Sequence, residues 1–250
     1  MLDFFGTIGP VSSSVETLVA LINEGMTGVR INNSHSRLVD CEKYLDAIKS
    51  AESQTQKKQK ILIDLQGAEL RIGNLTPFQL RANDIVRVVC EKANAVNQIP
   101  VPKALYDALK QKPTQLLLDD GLFKLNPAKI YFDYLEYQAE SDCVIRPNKS
   151  IASDLEVNLP VLSDADIKDI EYAVELGGIY GIMIPFVQKA EDLIFVKEVL
   201  QAKNATQLKI YAKIENQSGV DNIKEIIPHC DVVVIARGDL GANIPLIKIP

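Results

Sequence analysis

Six short apolar runs, each breaking off at a turn or a polar cluster, constrain this chain more than any other feature. They are Phe4–Ile8, Gly28–Asn32, Ile61–Leu65, Tyr180–Phe186, Leu208–Ile214 and Val232–Ala236. The third, Ile61-Leu62-Ile63-Asp64-Leu65, is apolar except at Asp64. A run of that kind belongs to a strand buried on both faces, the situation of a parallel sheet wrapped by helices. Helical patterns fill the intervals. Ser13 and Glu16 form a capping-box pattern ahead of Val15, Leu18, Val19, Leu21 and Ile22, and Gly25 stops that helix. A second helix is predicted over Arg37–Ala51. Ser163 and Asp166 open a third that ends at Gly177-Gly178, and further helices are predicted over Lys189–Lys203 and Val220–Ile227. Alternating strands and helices give an α/β fold with a parallel sheet. Six strands fit either an open doubly wound sheet or three-quarters of an eight-stranded barrel, and the pattern leaves both open.

The texture changes between Ile72 and about Leu155. Short alternating runs appear there, Asp84–Val89, Gln115–Leu118 and Lys129–Phe132, separated by Asn, Pro and Asp. They predict a small all-β insertion after the third strand, with Asp119-Asp120-Gly121 as a hairpin turn. The expected domains are residues 1–71 with 155–250, and 72–154. At 250 residues the chain is long enough for both, and 47% hydrophobic with 24% charged residues is ordinary globular composition. Net charge is −6, and the one basic cluster, Lys57, Lys58 and Lys60, reads as a solvated loop, so nucleic acid is not an expected partner. Cys41, Cys90, Cys143 and Cys230 lack CxxC or metal-ligand spacing, which points to a reducing compartment. No signal-peptide pattern opens the sequence and no apolar run reaches membrane-spanning length, so a cytoplasmic protein without membrane contact is expected.

Polar and charged groups follow five of the six runs. Thr7 ends the first; Arg30, Asn32, Ser34 and His35 follow the second; Asp64, Glu69 and Arg71 the third; Lys213, Glu215 and Asn216 the fifth; Arg237 and Asp239 the sixth. Only the fourth, ending in Pro185-Phe186-Val187-Gln188, is bland. Ligands bind at the carboxyl rim of parallel sheets, where these residues fall. Lys213 and Glu215 are two apart and so face one way on an extended strand, and Arg237 with Asp239 are expected to do the same. Glu215 and Asp239 are hard oxygen donors suited to Mg²⁺. Arg30, Arg71 and Lys213 suit phosphate or carboxylate oxygens. A divalent ion with a cationic clamp serves phosphoryl transfer or enolate stabilisation. Neither a GxxxxGK[ST] loop nor a nucleophile elbow is present. Taken singly, each residue has a plainer reading: Gly238 as a turn glycine, His35 as a loop histidine, Glu215 as a cap. Their joint placement at strand ends favours a site.

The motifs TIGP (Thr7–Pro10), VRINNSH (Val29–His35), LIDLQGAELR (Leu62–Arg71), LDDGL (Leu118–Leu122), VNLP (Val157–Pro160), KIENQSG (Lys213–Gly219) and VIARGDLGANIP (Val234–Pro245) occur in this order. Through them the chain resembles the N-terminal part of pyruvate kinase. The resemblance implies a TIM (β/α)8-type barrel, incomplete at about six βα units, with a small β domain inserted after the third strand that closes as a lid. It implies transfer of a phosphoryl group between phosphoenolpyruvate and ADP, giving pyruvate and ATP, with Mg²⁺ and K⁺. By motif position, Lys213 and Arg30 are the catalytic cations, and Arg30, Lys213, Gly238 and Asp239 contact substrate. Glu215 and Asp239 hold Mg²⁺, while Asn32, Ser34, Asp64 and the Leu65 carbonyl hold K⁺. Asn32, Ser34, His35 and Arg71 fall on the nucleotide side, Lys149 is a further nucleotide contact, and Glu69 matches the position whose carboxylate accompanies K⁺ dependence.

Departures from the family pattern are Ser36 after SH, Ala68 after Gly67, Gln188 in place of an arginine, and an altered KSIASD segment at Lys149–Asp154. The resemblance also implies truncation at the C-terminus, before two further βα units. Such a barrel is expected to be part of a longer chain, to be closed by another copy in a homo-oligomer, or to be an inactive relative that binds Mg²⁺ and an anionic ligand as an interaction or regulatory module. A Mg²⁺-enolate lyase acting on a keto acid is a weaker alternative.

Overall fold

The computed structural model describes residues 2–34, 37–67, 70–119, 121–153, 155, 157 and 159–243. Their contacts divide the chain into two units, residues 1–68 with 160–250, and residues 69–159. The texture change in the sequence set the seams at 71 and 155.

The first unit begins with β1 (Phe5–Ile8), α1 (Val15–Asn23), β2 (Gly28–Asn32), a 3₁₀ turn over Leu38–Cys41, α2 (Glu42–Thr55) and β3 (Lys60–Asp64). The cap of α1 is Ser14, not Ser13: the Ser14 hydroxyl accepts the Thr17 N–H. Ser12, Ser13 and Ser14 share the same capping chemistry, so the sequence does not choose among them. The helix expected from Arg37 starts later and runs to Thr55, where Gln56 closes it in the left-handed region at φ 55°.

The second unit carries β4 (Phe78–Leu80), β5 (Ile85–Cys90), β6 (Gln98–Val101), α3 (Lys103–Gln111), β7 (Leu116–Leu118), β8 (Phe123–Ile130), β9 (Leu135–Ala139), β10 (Cys143–Ile145) and β11 (Ile151–Ala152). Its main sheet runs β11-β7-β8-β9-β5-β6, antiparallel except for β5 and β6, and β4 pairs with β10. α3, whose Leu105 and Leu109 are fully buried, has no counterpart among the elements expected from the sequence. Tyr131 and Phe132 are expected as strand, whereas β8 stops at Ile130 and Phe132 is 88% exposed. Asp119 and Gly121 do form the β7–β8 turn, with φ of 50° and 83°; Asp120 lies outside the described residues.

Tyr137 on β9 is wholly buried in this second core. Burial pushes its phenol up to about 12, with the Thr114 backbone offsetting a little. A phenol that keeps its proton in the fold while the unfolded chain loses it leaves stability unchanged below about pH 10 and erodes it from there towards pH 12. At pH 11 the loss is about 1.4 kcal/mol. Tyr137→Phe is expected to remove that part of the alkaline decline, measured as the difference in urea midpoints between variant and parent from pH 9 to 11.5; parallel curves would show that the phenol does not titrate in this window.

The chain returns to the first unit with α4 (Asp164–Leu176), β12 (Ile179–Ile184), α5 (Ala190–Ala202), β13 (Lys209–Ile214), α6 (Gln217–Asp221), α7 (Ile223–Ile226), β14 (Val232–Ile235) and α8 (Arg237–Asn243). The capping box expected at Ser163 and Asp166 is present at the start of α4. The single helix expected over Val220–Ile227 is instead α6 and α7, separated at Asn222 and followed by a 3₁₀ turn over Ile227–His229. The six strands β1-β2-β3-β12-β13-β14 are hydrogen-bonded in sequence order and all parallel. This is an incomplete (β/α)8-type barrel interrupted after its third strand, and it excludes the doubly wound alternative, whose strand order reverses.

Period-two alternation sorts the strand side chains. Val29, Ile31, Ile61, Ile63, Ile182, Ile184, Ile210, Ala212 and Ile214 pack against the helices, under Leu18, Ile22, Ile48, Ile170, Leu193 and Val196. The residues between them face the other way. Leu62, Met183 and Tyr211 form a small cluster with Phe5, Tyr180 and Val234. One step further along the strands stand Arg30, Asp64 and Lys213. Among the described residues no helix is long and apolar enough to cross a membrane.

Candidate active site

Asp64 is the hub. Its side chain is 2% exposed, and its two oxygens take cations from two directions. Arg30 Nε donates to Oδ2 at 2.8 Å, with a second bond from the same guanidinium, and Lys213 Nζ lies 3.3 Å from Oδ1. Strand register explains the grouping, because Arg30 pairs with Leu62 and Asn32 with Asp64 across β2 and β3. Arg30 extends the network to β1 by donating to Thr7 Oγ1 at 3.0 Å. Lys213 extends it to Glu215, whose Oε1 is 2.7 Å from Nζ. Four strands thus contribute to one chain of charge from Thr7 to Glu215.

Glu215 is 1% exposed. Its Oε2 accepts the Phe186 backbone N–H at 2.9 Å. Phe186 belongs to the strand end that looked bland in sequence; it sits at φ 51°, a conformation bulky residues rarely adopt. The next residue, Val187, donates its N–H to the Lys213 carbonyl at 3.3 Å. Gly219 explains its own place in KIENQSG. A Cβ there would stand 2.5 Å from the Val187 carbonyl oxygen, so only glycine lets α6 approach this loop. Asn216 caps α6 by accepting the Gly219 N–H at 2.8 Å.

The electrostatics favour a further cation beside Glu215. Burial pushes its carboxyl above the ordinary carboxylate range, Lys213 and the Phe186 N–H pull it back, and the Asp239 charge adds to the rise. A buried carboxylate whose proton affinity a neighbouring carboxylate raises suits a divalent ion. Among the described residues no group of three or more His, Cys, Asp or Glu gathers at one point. A magnesium ion here would therefore complete its coordination with water and substrate oxygens, as Mg²⁺ prefers. For Lys213, burial alone would lower its affinity for a proton, but Asp64 and Glu215 outweigh it and raise the pKa, so the ammonium is charged.

Asp239 is exposed and reaches the site differently from expectation. β14 stops at Ile235, and Arg237, Gly238 and Asp239 form the first turn of α8. Residues two apart diverge by about 200° on a helix, so Arg237 and Asp239 do not share a face as they would on a strand. Asn32 accepts the Ser34 N–H on its side-chain oxygen at 3.1 Å, and Leu65 is buried. Of the residues assigned to K⁺, Asn32 and Asp64 are paired in register across β2 and β3, and Asp64 is shared between two cationic side chains. Arg71 belongs to the second unit, where it bridges Ser150 and donates to the Asn148 carbonyl at 2.7 Å. Lys149, in the same unit, pairs with Asp119 at 2.7 Å. His35 and Glu69 lie outside the described residues.

Two aspartates of α4 that no site reading singled out hold the loops behind this rim. Asp166 Oδ1 accepts the Gln66 and Gly67 N–H groups at 3.0 and 3.3 Å. Asp169 accepts from Asn33 Nδ2 at 2.9 Å, from Arg37, and from the Leu38 N–H at 3.2 Å. Asp166 carried a capping signal in the sequence, but Asp169 carried none.

The family model for the pyruvate kinase barrel domain matches residues 2–250. The chain belongs to the pyruvate kinase family. It is 32% identical over 250 residues to the pyruvate kinase of Geobacillus stearothermophilus, covering 98% of this chain and 42% of that protein. It is likewise 32% identical over 253 residues to that of Lactobacillus delbrueckii subsp. bulgaricus, with the same coverage. Among solved structures it superposes on a pyruvate kinase from Cryptosporidium parvum with a TM-score of 0.83 at 28% identity, covering 99% of this chain and 52% of that one. The chain therefore spans about two-fifths of the length of these curated pyruvate kinases.

Proposed function

We propose that this rim binds phosphoenolpyruvate and Mg²⁺ and takes part in phosphoryl transfer to ADP, giving pyruvate and ATP with K⁺ as the monovalent ion. The observation that carries this reading is the Asp64 hub, which holds two cations, Arg30 and Lys213, side by side next to a buried carboxylate. Lys213 Nζ is oriented from two sides and presents its charge where the bridging oxygen and the phosphoryl oxygens gain charge as the P–O bond breaks. Arg30, 29% exposed, offers the rest of its fork to phosphate oxygens. Glu215 and Asp239 would hold Mg²⁺, which would supply Lewis-acid screening of the substrates' negative charge. Asn32, Ser34, Asp64 and Leu65 supply the oxygens for K⁺. Asn32 and Ser34, with His35 and Arg71, carry the nucleotide assignment. The bond broken joins the phosphorus to the enol oxygen, the bond formed joins it to a β-phosphate oxygen of ADP, and the enolate takes a proton from solvent or a donor at carbon.

The test is pyruvate formation from phosphoenolpyruvate and ADP, followed with and without Mg²⁺ and K⁺, beside calorimetric titration of Mg²⁺. Glu215→Gln is expected to weaken Mg²⁺ binding at least tenfold. Unchanged Mg²⁺ affinity in that variant would remove Glu215 from the metal site, and phosphoenolpyruvate that fails to bind the parent chain with Mg²⁺ present would overturn the reading.

A further inference from the structure

We propose that Asp169 is a positioning residue for the nucleotide side of the rim: it fixes the segment after β2 at both ends and so sets Asn32 and Ser34 for ADP and K⁺. This rests on the function proposed above and deepens it. The geometry is unusually concentrated for a residue of a helix flank. Asp169 is 3% exposed and its two oxygens meet one backbone and two side-chain partners of a single segment. Asn33 Nδ2 donates to Oδ2 at 2.9 Å. Arg37 Nε lies 3.1 Å from each oxygen and Arg37 Nη2 3.0 Å from Oδ1. The Leu38 N–H donates to Oδ1 at 3.2 Å, and Arg37 Nη2 also reaches the Ala165 carbonyl at 2.6 Å.

The partners bracket the loop. Asn33 stands between Asn32 and Ser34, while Arg37 and Leu38 follow two and three positions after His35. Leu38 and Cys41, buried at 0% and 1%, anchor the far end in the barrel core. The near end has its own constraint in the Asn33 N–H, which donates to the Asp64 carbonyl at 2.9 Å. Asp169 thus ties the loop to α4 while β3 ties it to the hub. Arg30 lies on β2 itself, ahead of the loop, and is held by Asp64 and Thr7. Loss of Asp169 should therefore disturb ADP and K⁺ while sparing phosphoenolpyruvate and Mg²⁺. A general loss of packing would not separate the two. Asp166, three positions earlier on the same helix, makes an internal control because its partners are Gln66 and Gly67 on a different loop.

The experiment uses Asp169→Asn and Arg37→Gln in the full chain. Arg37, with 37% of its side chain exposed, is the partner whose replacement is expected to disturb folding less than that of the buried Asp169. ADP is titrated calorimetrically in KCl, phosphoenolpyruvate is titrated with Mg²⁺, and amide hydrogen exchange is read at residues 33–38 and at 66–67. Both variants are expected to bind ADP at least tenfold more weakly and to need more KCl for half-maximal ADP binding. Phosphoenolpyruvate affinity should change less than twofold, and exchange should accelerate at 33–38 but not at 66–67. Asp169→Glu is expected to restore part of the ADP affinity. Equal losses for both ligands, or ADP binding unchanged in both variants, would overturn the positioning role while leaving the functional reading intact. A parent chain that binds phosphoenolpyruvate but not ADP would overturn both.

Discussion

Lys213→Met is expected to lower phosphoryl transfer by at least ~10³-fold and to destabilise the fold at the same time. The first effect follows from the role proposed for Lys213, as an ammonium beside the transferring group, where a positioned cation acts with little competition from water. The second follows from burial. Lys213 lies between Asp64 and Glu215, side chains 2% and 1% exposed, and its loss leaves two carboxylates to share what remains. Asp64 keeps Arg30, whereas Glu215 loses its ammonium partner and keeps the neutral Phe186 N–H. Removing one partner of a buried ion pair costs about 3–5 kcal/mol, and the carboxyl responds by taking up a proton. The two effects separate in a double variant. Lys213→Met with Glu215→Gln should recover most of the lost stability in a urea titration and none of the turnover. A single variant that is destabilised but still forms pyruvate at the parent rate would show that Lys213 is a structural cation only.

Gly219→Ala is the second substitution with a large expected effect, and it acts without touching a charged group. The added Cβ would stand 2.5 Å from the Val187 carbonyl oxygen and 3.3 Å from Ile214 Cγ2, so α6 or the loop after β12 must move. Overpacking of that kind costs about 1–3 kcal/mol. The displaced loop carries the Phe186 N–H, so the same change should weaken the bond to Glu215 and lower Mg²⁺ affinity. Unfolding by urea gives the first number and a Mg²⁺ titration the second. If stability falls while Mg²⁺ affinity holds, the Phe186 contact is dispensable to Glu215.

Much of this was legible in the sequence because alternation in a strand is a short-range signal. Arg30, Asp64 and Lys213 could be placed on one face from their neighbours alone, since Ile31, Ile63 and Ala212 had to face the helices. The motifs then supplied the roles. What escaped the reading is of two kinds. Asp169 contacts Arg37 from 132 positions away and Asn33 from 136, and nothing local in either segment announces that pairing. Phe186 contributes only a backbone N–H, a group every residue but proline carries, so its side chain gave no hint. The shared face expected of Arg237 and Asp239 failed for a local reason: β14 ends two residues before Arg237, and the helix that follows changes the angular spacing from that of a strand.

The interruption between β3 and β12 has a consequence for how the barrel assembles. These strands are hydrogen-bonded neighbours, Ile63 opposite Ile182, yet the whole second unit lies between them in sequence. Joining the ends of a flexible chain on the order of 100 residues long costs about 4 kcal/mol in lost conformational freedom beyond a constant. A second unit that folds before the barrel would lower that penalty, because its own Arg71–Ser150 bridge holds two points near the ends of the insertion side by side. What would then remain to be closed is the short stretch from Asp64 to Arg71 and the longer one from Ser150 to Ile179, which carries α4. In that order of events the insertion would act on the barrel as a cross-link does, by restricting the unfolded chain rather than by adding a contact to the folded one.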